Sequence, residues 1–159
     1  MTFLKFVFAI FLSFLPGLIG VIFTPIASGQ DLWYATLNNS LLTPDGWVFS
    51  VVWTILYFMI GIALFFVMQQ KRTNNNHDKA GAYIAFGINI IFNALWSYVF
   101  FGAQLPEAAL IVLTALIIAA IFMARAFCRI SKIAFWLVVP YIVWLMFAFY
   151  LNVMIIYLN

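Results

Sequence analysis

The chain has 159 residues, of which 68% are hydrophobic and only 7% are charged, and its formal net charge is +3. A soluble domain carries about 25% charged residues, so the composition excludes a water-exposed globular surface and makes the lipid bilayer the solvent. The long apolar runs favour helices over the short alternating strands of a membrane barrel. The basic residues are split among short segments that flank these runs, which excludes a nucleic-acid-binding surface and indicates topology signals.

Five uncharged stretches are each long enough to cross about 30 Å of hydrocarbon. They predict an all-α fold, a polytopic membrane protein with five transmembrane helices in one domain, 1–159. The predicted helices are 4–23, 44–69, 80–101, 105–126 and 133–156. Thr43 and Pro44 are expected to cap and open the second helix, Pro106 to open the fourth and Ser131 to cap the fifth.

All basic residues fall on one side of this five-helix arrangement. They are Lys5, Lys71, Arg72, Lys79, Arg125, Arg129 and Lys132. The positive-inside rule makes that side cytoplasmic, with the amino terminus inside and the carboxyl terminus outside. The amino terminus does not resemble a transit peptide, which favours a bacterial inner membrane. Charge alone leaves one alternative open, a signal peptide that begins near Lys5 and is cleaved at residues 27–29.

The connection 24–43 is the longest loop, and it contains Trp33 and Tyr34. A loop of this length in a small protein is usually functional and often a lid. His77 and Cys128 are the single histidine and the single cysteine, so no metal site can be assembled and none is expected. No catalytic set and no phosphate-binding glycine loop is present, which disfavours hydrolysis and ATP-driven transport.

The third predicted helix carries Asn89, Asn93 and Ser97 at intervals of four, which places them on one face. Amide groups in hydrocarbon are costly unless they are paired, so this face is expected to look into the bundle. Two roles are open. The amides hydrogen-bond a neighbouring helix and do nothing more, or Asn93 also orients a ligand.

Tryptophans are placed at two depths in the predicted helices. Trp33 and Trp47 fit the interfacial belt near lipid headgroups, whereas Trp53 and Trp144 lie well inside their helices. Aromatic walls with a few amides suit a flat, largely apolar ligand, and core packing is the alternative explanation.

The fifth helix carries further candidates. Tyr141 and Asn152 share a face with Trp144. Pro140 removes a backbone hydrogen bond and is expected to bend this helix. Trp136 points elsewhere in a straight helix, so its arrival at the same cavity depends on that bend.

A homodimer is the expected assembly. Gly81 and Ala85 form a pair of small residues one turn apart, a common but weak signal for helix pairing in membranes. Ala115 with Ala119 and Ala120 with Ala124 are equal candidates for close packing.

The chain resembles the tryptophan-rich sensory protein, or translocator protein, family. The resemblance covers nearly the whole chain in order. Its motifs are Pro16-Gly17, Trp33-Tyr34, TPDGWVFSVVWTILYFMIG from Thr43, NALWSYVFFG from Asn93, PEAAL from Pro106 and WLVVPYIVWLMFAFYLNVMI from Trp136.

The resemblance implies a five-helix bundle, often homodimeric, that binds porphyrins and haem-related tetrapyrroles beneath its first long loop. It implies no required cofactor, with porphyrin or haem as the ligand and drug-like aromatic compounds as further candidates. It places Trp53 and Trp136 against a bound porphyrin, with a catalytic role only if the porphyrin is degraded. Positions implied to line or support the cavity are Trp33, Tyr34, Trp47, Asn93, Tyr141, Trp144 and Asn152.

Two departures from the family pattern are visible. Leu42 replaces a tryptophan at the end of the first loop and Asp45 replaces a proline. No basic residue follows Lys132, so the animal sterol motif is absent. The leading expectation is a membrane receptor, carrier or sensor of tetrapyrroles. The alternatives are a light-dependent porphyrin-degrading enzyme and a generic small-molecule efflux component.

Overall fold

The computed structural model describes residues 2–23, 32–70 and 76–159. Within these ranges the chain forms helices and no strand. The helices are α1 (Thr2–Phe23), α2 (Leu32–Thr36), α3 (Gly46–Gln69), α4 (Asn76–Ser97), α5 (Pro106–Ile130) and α6 (Lys132–Leu158), and α4 continues into a π-helical turn, Tyr98–Gly102. All of them except α2 are long and apolar enough to span a membrane, α4 together with its π-helical turn. The prediction of an all-α, five-helix membrane bundle is confirmed.

Some sequence predictions concern residues that the structure does not describe. The proposed cleavage segment 27–29, Lys71 and Arg72 lie outside the described residues, as does the side chain of His77.

One prediction about where the helices begin was wrong. The helix α3 begins at Gly46, with Asp45 as its N-terminal flanking residue, rather than at Pro44. A turn precedes it, in which the Thr43 backbone N–H donates to the Ser40 carbonyl at 2.9 Å, so Thr43 belongs to the turn and does not cap the helix.

The starts of the last two long helices are as predicted. Pro106 opens α5, where its missing N–H costs nothing. The Ser131 hydroxyl accepts a hydrogen bond from the Ala134 backbone N–H at 3.3 Å and caps α6.

The five long helices close into a ring in the order α1, α3, α6, α5, α4 and back to α1. Glycines allow a close approach between α1 and α3. A Cβ added at Gly61 would lie 2.7 Å from Ile10 Cδ1 and Ser13 Oγ, and one at Gly17 would lie 2.8 Å from the Tyr57 ring. Because association of membrane helices depends on close packing, these two glycines let α1 seat on α3.

The two ends of the bundle differ in charge. The Phe6 and Phe65 rings meet at 5.4 Å, so the start of α1 lies beside the end of α3. Lys79 Nζ donates to the Gln70 carbonyl, which joins the end of α3 to the start of α4. This end, here called the basic end, carries the described basic residues Lys5, Lys79, Arg125, Arg129 and Lys132. The opposite end carries α2 and residues 37–45 and is called the loop end.

The buried face of α6 runs through Pro140 without a break. Its members recur every three or four residues on both sides of the proline: Ala134, Val138, Tyr141, Leu145, Ala148, Asn152 and Ile155. Pro140 itself is exposed. The helix therefore keeps one face toward its neighbours along its whole length, and that fixes which aromatic side chains enter the bundle.

Candidate ligand-binding site

A chain of side-chain hydrogen bonds joins three helices at the middle of the bundle. The Tyr57 hydroxyl of α3 donates to Asn93 Oδ1 of α4 at 2.9 Å. Asn93 Nδ2 donates to the Tyr141 hydroxyl of α6 at 2.9 Å. The Tyr141 hydroxyl donates in turn to Asn89 Oδ1 at 3.1 Å. The prediction that the asparagines of α4 look into the bundle and hold neighbouring helices is confirmed.

Burial makes this chain of hydrogen bonds energetically important. Tyr141 is fully buried, and Asn89 and Asn93 are 3% and 2% exposed. In a medium of low dielectric, paired polar groups are held firmly while unpaired ones are costly. The chain of donors runs in one direction and ends on Asn89, whose own N–H₂ group, Nδ2, has no partner among the described residues.

Aromatic side chains stand beside this network on the side of the loop end. The Trp53 ring lies 5.3 Å from the Tyr57 ring and 6.2 Å from the Tyr141 ring. The Trp144 ring lies 5.8 Å from the ring of Phe49, which is one turn before Trp53 on α3. Trp53 and Trp144 are both half-buried against the main core, and together they wall the loop-end side of the network.

The short helix α2 covers the loop end of the bundle. The rings of Trp33 and Tyr34 pack on Phe100 of the π-helical turn at 5.7 and 6.2 Å. Phe100 also stacks on Trp96 at 5.3 Å with an interplanar angle of 22°. Burial raises the pKa of the Tyr34 hydroxyl above its usual value of 10.0, so the group remains a neutral hydrogen-bond donor at physiological pH.

The segment after α2 is tied to the end of α6. The Asn38 backbone N–H donates to Asn159 Oδ1 at 2.9 Å, and Asn159 Nδ2 donates back to the Asn38 carbonyl at 3.2 Å. The Ser40 and Tyr150 hydroxyls share a hydrogen bond of 3.0 Å. These contacts are exposed, so they hold the cover in place with modest strength.

Among the described residues, four buried side-chain atoms lack a hydrogen-bond partner. They are Asn89 Nδ2, Trp96 Nε1, Trp144 Nε1 and Asn152 Oδ1. All four lie at mid-depth or nearer the loop end. Most buried polar groups in native proteins are paired, so these four unpaired atoms, spread from mid-depth to the loop end, are candidate ligand contacts.

The structure brings most of the predicted site residues to this region. Trp33, Tyr34, Trp53, Asn93, Tyr141 and Trp144 belong to the network, its aromatic walls or its cover. Asn152 lies nearer to the loop end than the network does, and its Nδ2 donates to the Pro106 carbonyl at 2.9 Å. It ties α6 to the start of α5 and leaves its carbonyl oxygen free.

Two predicted tryptophans lie elsewhere. The side chains of Trp47 and Trp136 are each 67% exposed. Trp136 packs on its neighbour Phe135 at the basic end of α6 and does not join Trp53. Since the buried face continues unchanged through Pro140, no bend carries Trp136 inward. The tryptophan of α6 that shares the interior with Trp53 is Trp144.

The predicted site residues lacked four contributors to the site, one of which is Trp96 with its unpaired Nε1. Tyr57 supplies the first donor of the network, and Phe49 and Phe100 supply ring contacts. A signal was present for two of them, because Phe49 and Tyr57 flank Trp53 at intervals of four residues on α3 and therefore share its face.

The fold and the site together define a class, the integral membrane proteins with a five-helix bundle and an interior built from tryptophan, tyrosine and asparagine. The model of the TspO/MBR family matches residues 9–158, and the chain belongs to this family.

Relatives of this chain occur in archaea, bacteria and animals. The chain is 37% identical to a tryptophan-rich protein TspO of Archaeoglobus fulgidus over all of this chain and 99% of the relative. It is 39% identical to a tryptophan-rich protein TspO of Chlorobaculum tepidum over 90% of this chain and 88% of the relative. It is also 33% identical to the translocator protein of Homo sapiens over 78% of this chain and 73% of the relative.

Proposed function

We propose that this protein binds a tetrapyrrole, a porphyrin or haem, between the central polar network and the cover formed by α2, and that it acts as a receptor, carrier or sensor of that ligand. The observation that supports this most directly is the set of four unpaired buried polar atoms among aromatic walls. Leaving such groups unpaired costs stability, and a ligand that pairs with them recovers that cost.

The chemistry of these atoms selects the type of ligand. Asn89, Trp96 and Trp144 each offer an unpaired N–H donor, whereas Asn152 offers an acceptor. Donors in an aromatic setting suit a flat ring system that carries acceptor groups at its edge. The carboxylate side chains of a porphyrin are acceptors of this kind, and aromatic drug-like molecules with a carbonyl group meet the same requirement.

The aromatic side chains of the site favour binding of the planar tetrapyrrole ring. Trp53 and Trp144 are half-buried, so each presents part of an indole face to the interior. Stacking of a planar ring on one aromatic side chain is worth about 1–3 kcal/mol in nucleic-acid complexes, and a tetrapyrrole is large enough to contact both indoles.

Neither alternative function gains support from the geometry. Light-dependent degradation of a bound porphyrin was expected to use Trp53 and Trp136 together, and Trp136 is exposed at the other end of the bundle. Generic efflux predicts no preference for planar ligands. Illumination of the porphyrin complex tests the first alternative, because repeated turnover of the porphyrin absorbance band would establish catalysis.

The orientation and membrane belong to the same proposal. The basic end faces the cytoplasm by the positive-inside rule, which places α2 on the outer side of a bacterial inner membrane. A ligand then enters beneath α2 from that side. The homodimer stays a prediction, and pairing through Gly81 and Ala85 competes with any other molecule that binds this face of α4.

A matched pair of double variants tests the proposal. Trp53→Leu with Trp144→Leu removes both interior indoles, and Trp47→Leu with Trp136→Leu removes two exposed indoles from the same two helices. Titration of the purified protein with protoporphyrin, followed by porphyrin absorbance, should show affinity lowered roughly tenfold or more in the first variant. The second variant should match the unaltered protein. Equal affinities in both folded variants would contradict the proposal.

A further inference from the structure

A second concave site lies at the basic end, away from the tryptophans. It is a groove of about 300 Å³ between α4 and α5. Its lining residues are Asp78, Gly81, Ala85, Phe122, Arg125, Ala126 and Arg129. None of them belongs to the candidate ligand-binding site, so the groove is an independent feature of the molecule.

The α5 wall of the groove carries two guanidinium groups that are free to bind an anion. Arg125 and Arg129 are four residues apart and share a helix face. Both are exposed, and neither forms an ion pair or hydrogen bond with another described residue. Lys79 nearby is different, because its ammonium group already donates to the Gln70 carbonyl.

A single arginine near a helix end has a simple explanation. Arg129 lies in the last turn of α5, where its charge complements the helix dipole, and long basic side chains commonly extend toward headgroups. The dipole effect is confined to the last turn, whereas extension toward headgroups would bring a second arginine, one turn deeper, to the same mouth of the groove as Arg129. Arg125 occupies that position.

The α4 wall leaves room for an apolar chain. A Cβ added at Gly81 would meet no atom within 4 Å, and Ala85 follows one turn deeper into the bundle. Phe122 faces them from α5 one turn deeper than Arg125 or Ala126. The groove therefore runs from two cationic groups at its mouth to a small apolar channel toward the middle of the bundle.

We infer that this groove binds a phospholipid of the leaflet at the basic end, with its phosphodiester between Arg125 and Arg129 and one acyl chain along Gly81 and Ala85. The guanidinium fork matches phosphate oxygens in two-point contacts. Basic pockets between transmembrane helices are a recurring form of lipid headgroup site. The charge at the mouth and the apolar channel together fit both parts of such a molecule.

Asp78 gives the groove its selectivity. Its carboxylate lies on the wall opposite the arginines. One negative charge on a phosphodiester is offset by two guanidinium groups, but the second charge of a phosphomonoester would face the carboxylate. The groove therefore prefers phosphatidylglycerol to phosphatidic acid.

A second copy of this chain fits the groove less well than a lipid. A symmetric dimer brings the same surface from both partners together. Each copy would contribute two guanidinium groups and one carboxylate, so the interface would hold excess positive charge in a medium of low dielectric. A lipid phosphate supplies the negative charge that a second copy lacks.

Native mass spectrometry of the delipidated protein with added phosphatidylglycerol tests the inference. Arg125→Gln with Arg129→Gln should weaken binding roughly tenfold or more, because two charge-assisted contacts are lost. The control is Lys5→Gln with Lys132→Gln, which removes the same charge from the same end outside the groove and should leave binding within about twofold. Equal losses in both variants would show diffuse attraction to the basic end and overturn the inference.

A larger side chain in the apolar channel distinguishes binding of a lipid from binding of a free headgroup or of a second copy of the chain. Gly81→Leu leaves both arginines in place and should weaken phosphatidylglycerol binding. Soluble glycerophosphoglycerol and inorganic phosphate should fail to displace the lipid at equal concentration, and their success would overturn the inference. It would also be overturned if Gly81→Leu converts a lipid-free dimer to a monomer, because the face would then be an interface between copies.

The role of Asp78 is tested by Asp78→Asn. This change should improve binding of phosphatidic acid several-fold more than binding of phosphatidylglycerol. The same improvement for both lipids would contradict the assigned selectivity.

Discussion

The half of the bundle toward the basic end and the half toward the loop end are built on different principles. The first is packed with buried apolar residues, among them Ala63, Val67, Ala82, Met123, Ala124, Phe127 and Val138. The second, which begins at the central network, contains buried amides and hydroxyls and all four unpaired buried polar atoms of the described residues. The interior of the first half is apolar, whereas the interior of the second retains buried polar groups that have no partner among the described residues.

The two halves therefore contribute differently to the stability of the protein. Close packing holds membrane helices together in the first half, and interhelical hydrogen bonds add to packing at the central network. Unpaired polar atoms reduce stability and persist in native proteins for a reason. Substitutions in the two kinds of region should therefore have different signatures in stability and in ligand binding.

The largest effect is expected at the close contact between α1 and α3 around Gly61. Gly61→Val would place new atoms against Ile10 and Ser13, where even a Cβ comes within 2.7 Å. Overpacking of this kind should lower stability by about 3 kcal/mol, measured by thermal unfolding in detergent. Gly81→Val is the control, because a Cβ there meets nothing within 4 Å. Equal melting temperatures for the two variants would mean that α1 does not depend on this approach.

The next effect concerns the polar network. Asn93→Leu removes the acceptor of Tyr57 and the donor to Tyr141, and should cost about 1–3 kcal/mol. Ser97→Ala on the same face is the control, since its hydroxyl makes only a 3.5 Å contact to the Asn93 carbonyl. A double-mutant cycle of Asn93→Leu with Tyr57→Phe should show non-additive losses. Strict additivity would mean that the two side chains do not act as one unit.

A smaller effect is expected at the cover. Asn38→Ala removes the side-chain contacts of Asn38 with the end of α6 while keeping its backbone contact to Asn159. Global stability should fall by less than about 1 kcal/mol because these groups are exposed. Hydrogen exchange across residues 37–45 should become faster. Asn39→Ala should leave exchange unchanged, because that side chain reaches only the Leu37 carbonyl nearby.

The smallest effect lies between the π-helical turn and α5. Gln104 has φ of 57°, a left-handed conformation that side chains disfavour. Gln104→Gly should raise stability by up to about 1 kcal/mol, offset in part by the freedom of glycine in the unfolded chain. Gln70→Gly should not stabilise, because Gln70 has φ of −65°. If both variants were more stable, the left-handed conformation of Gln104 would not be the cause of the stabilisation.

Helix number and order could be read from the sequence because charge and length decide them. An uncharged run of sufficient length has no stable alternative in a bilayer. The asparagines of α4 were also predictable, since buried amides are costly and Asn89 and Asn93 share one face.

The rotation of each helix about its axis was much harder to predict. When both faces of a helix are apolar, hydrophobic periodicity carries little information about which face is inside. Trp136 shows the result, because a straight helix placed it on a different face from Trp144 while the expected bend at Pro140 left its position open, and only Trp144 lies against the core. The short helix α2 was also missed, since a segment of five residues has no periodic pattern to detect.

The two exposed indoles also have a practical value. Trp47 stands at the loop end of α3 and Trp136 at the basic end of α6, and both project from the bundle. The protein thus carries one exposed tryptophan near each membrane boundary, where tryptophan is commonly enriched. Quenching by lipids brominated at different depths would report the depth of each of these two indoles. Their separation would then give the bilayer thickness that the protein spans.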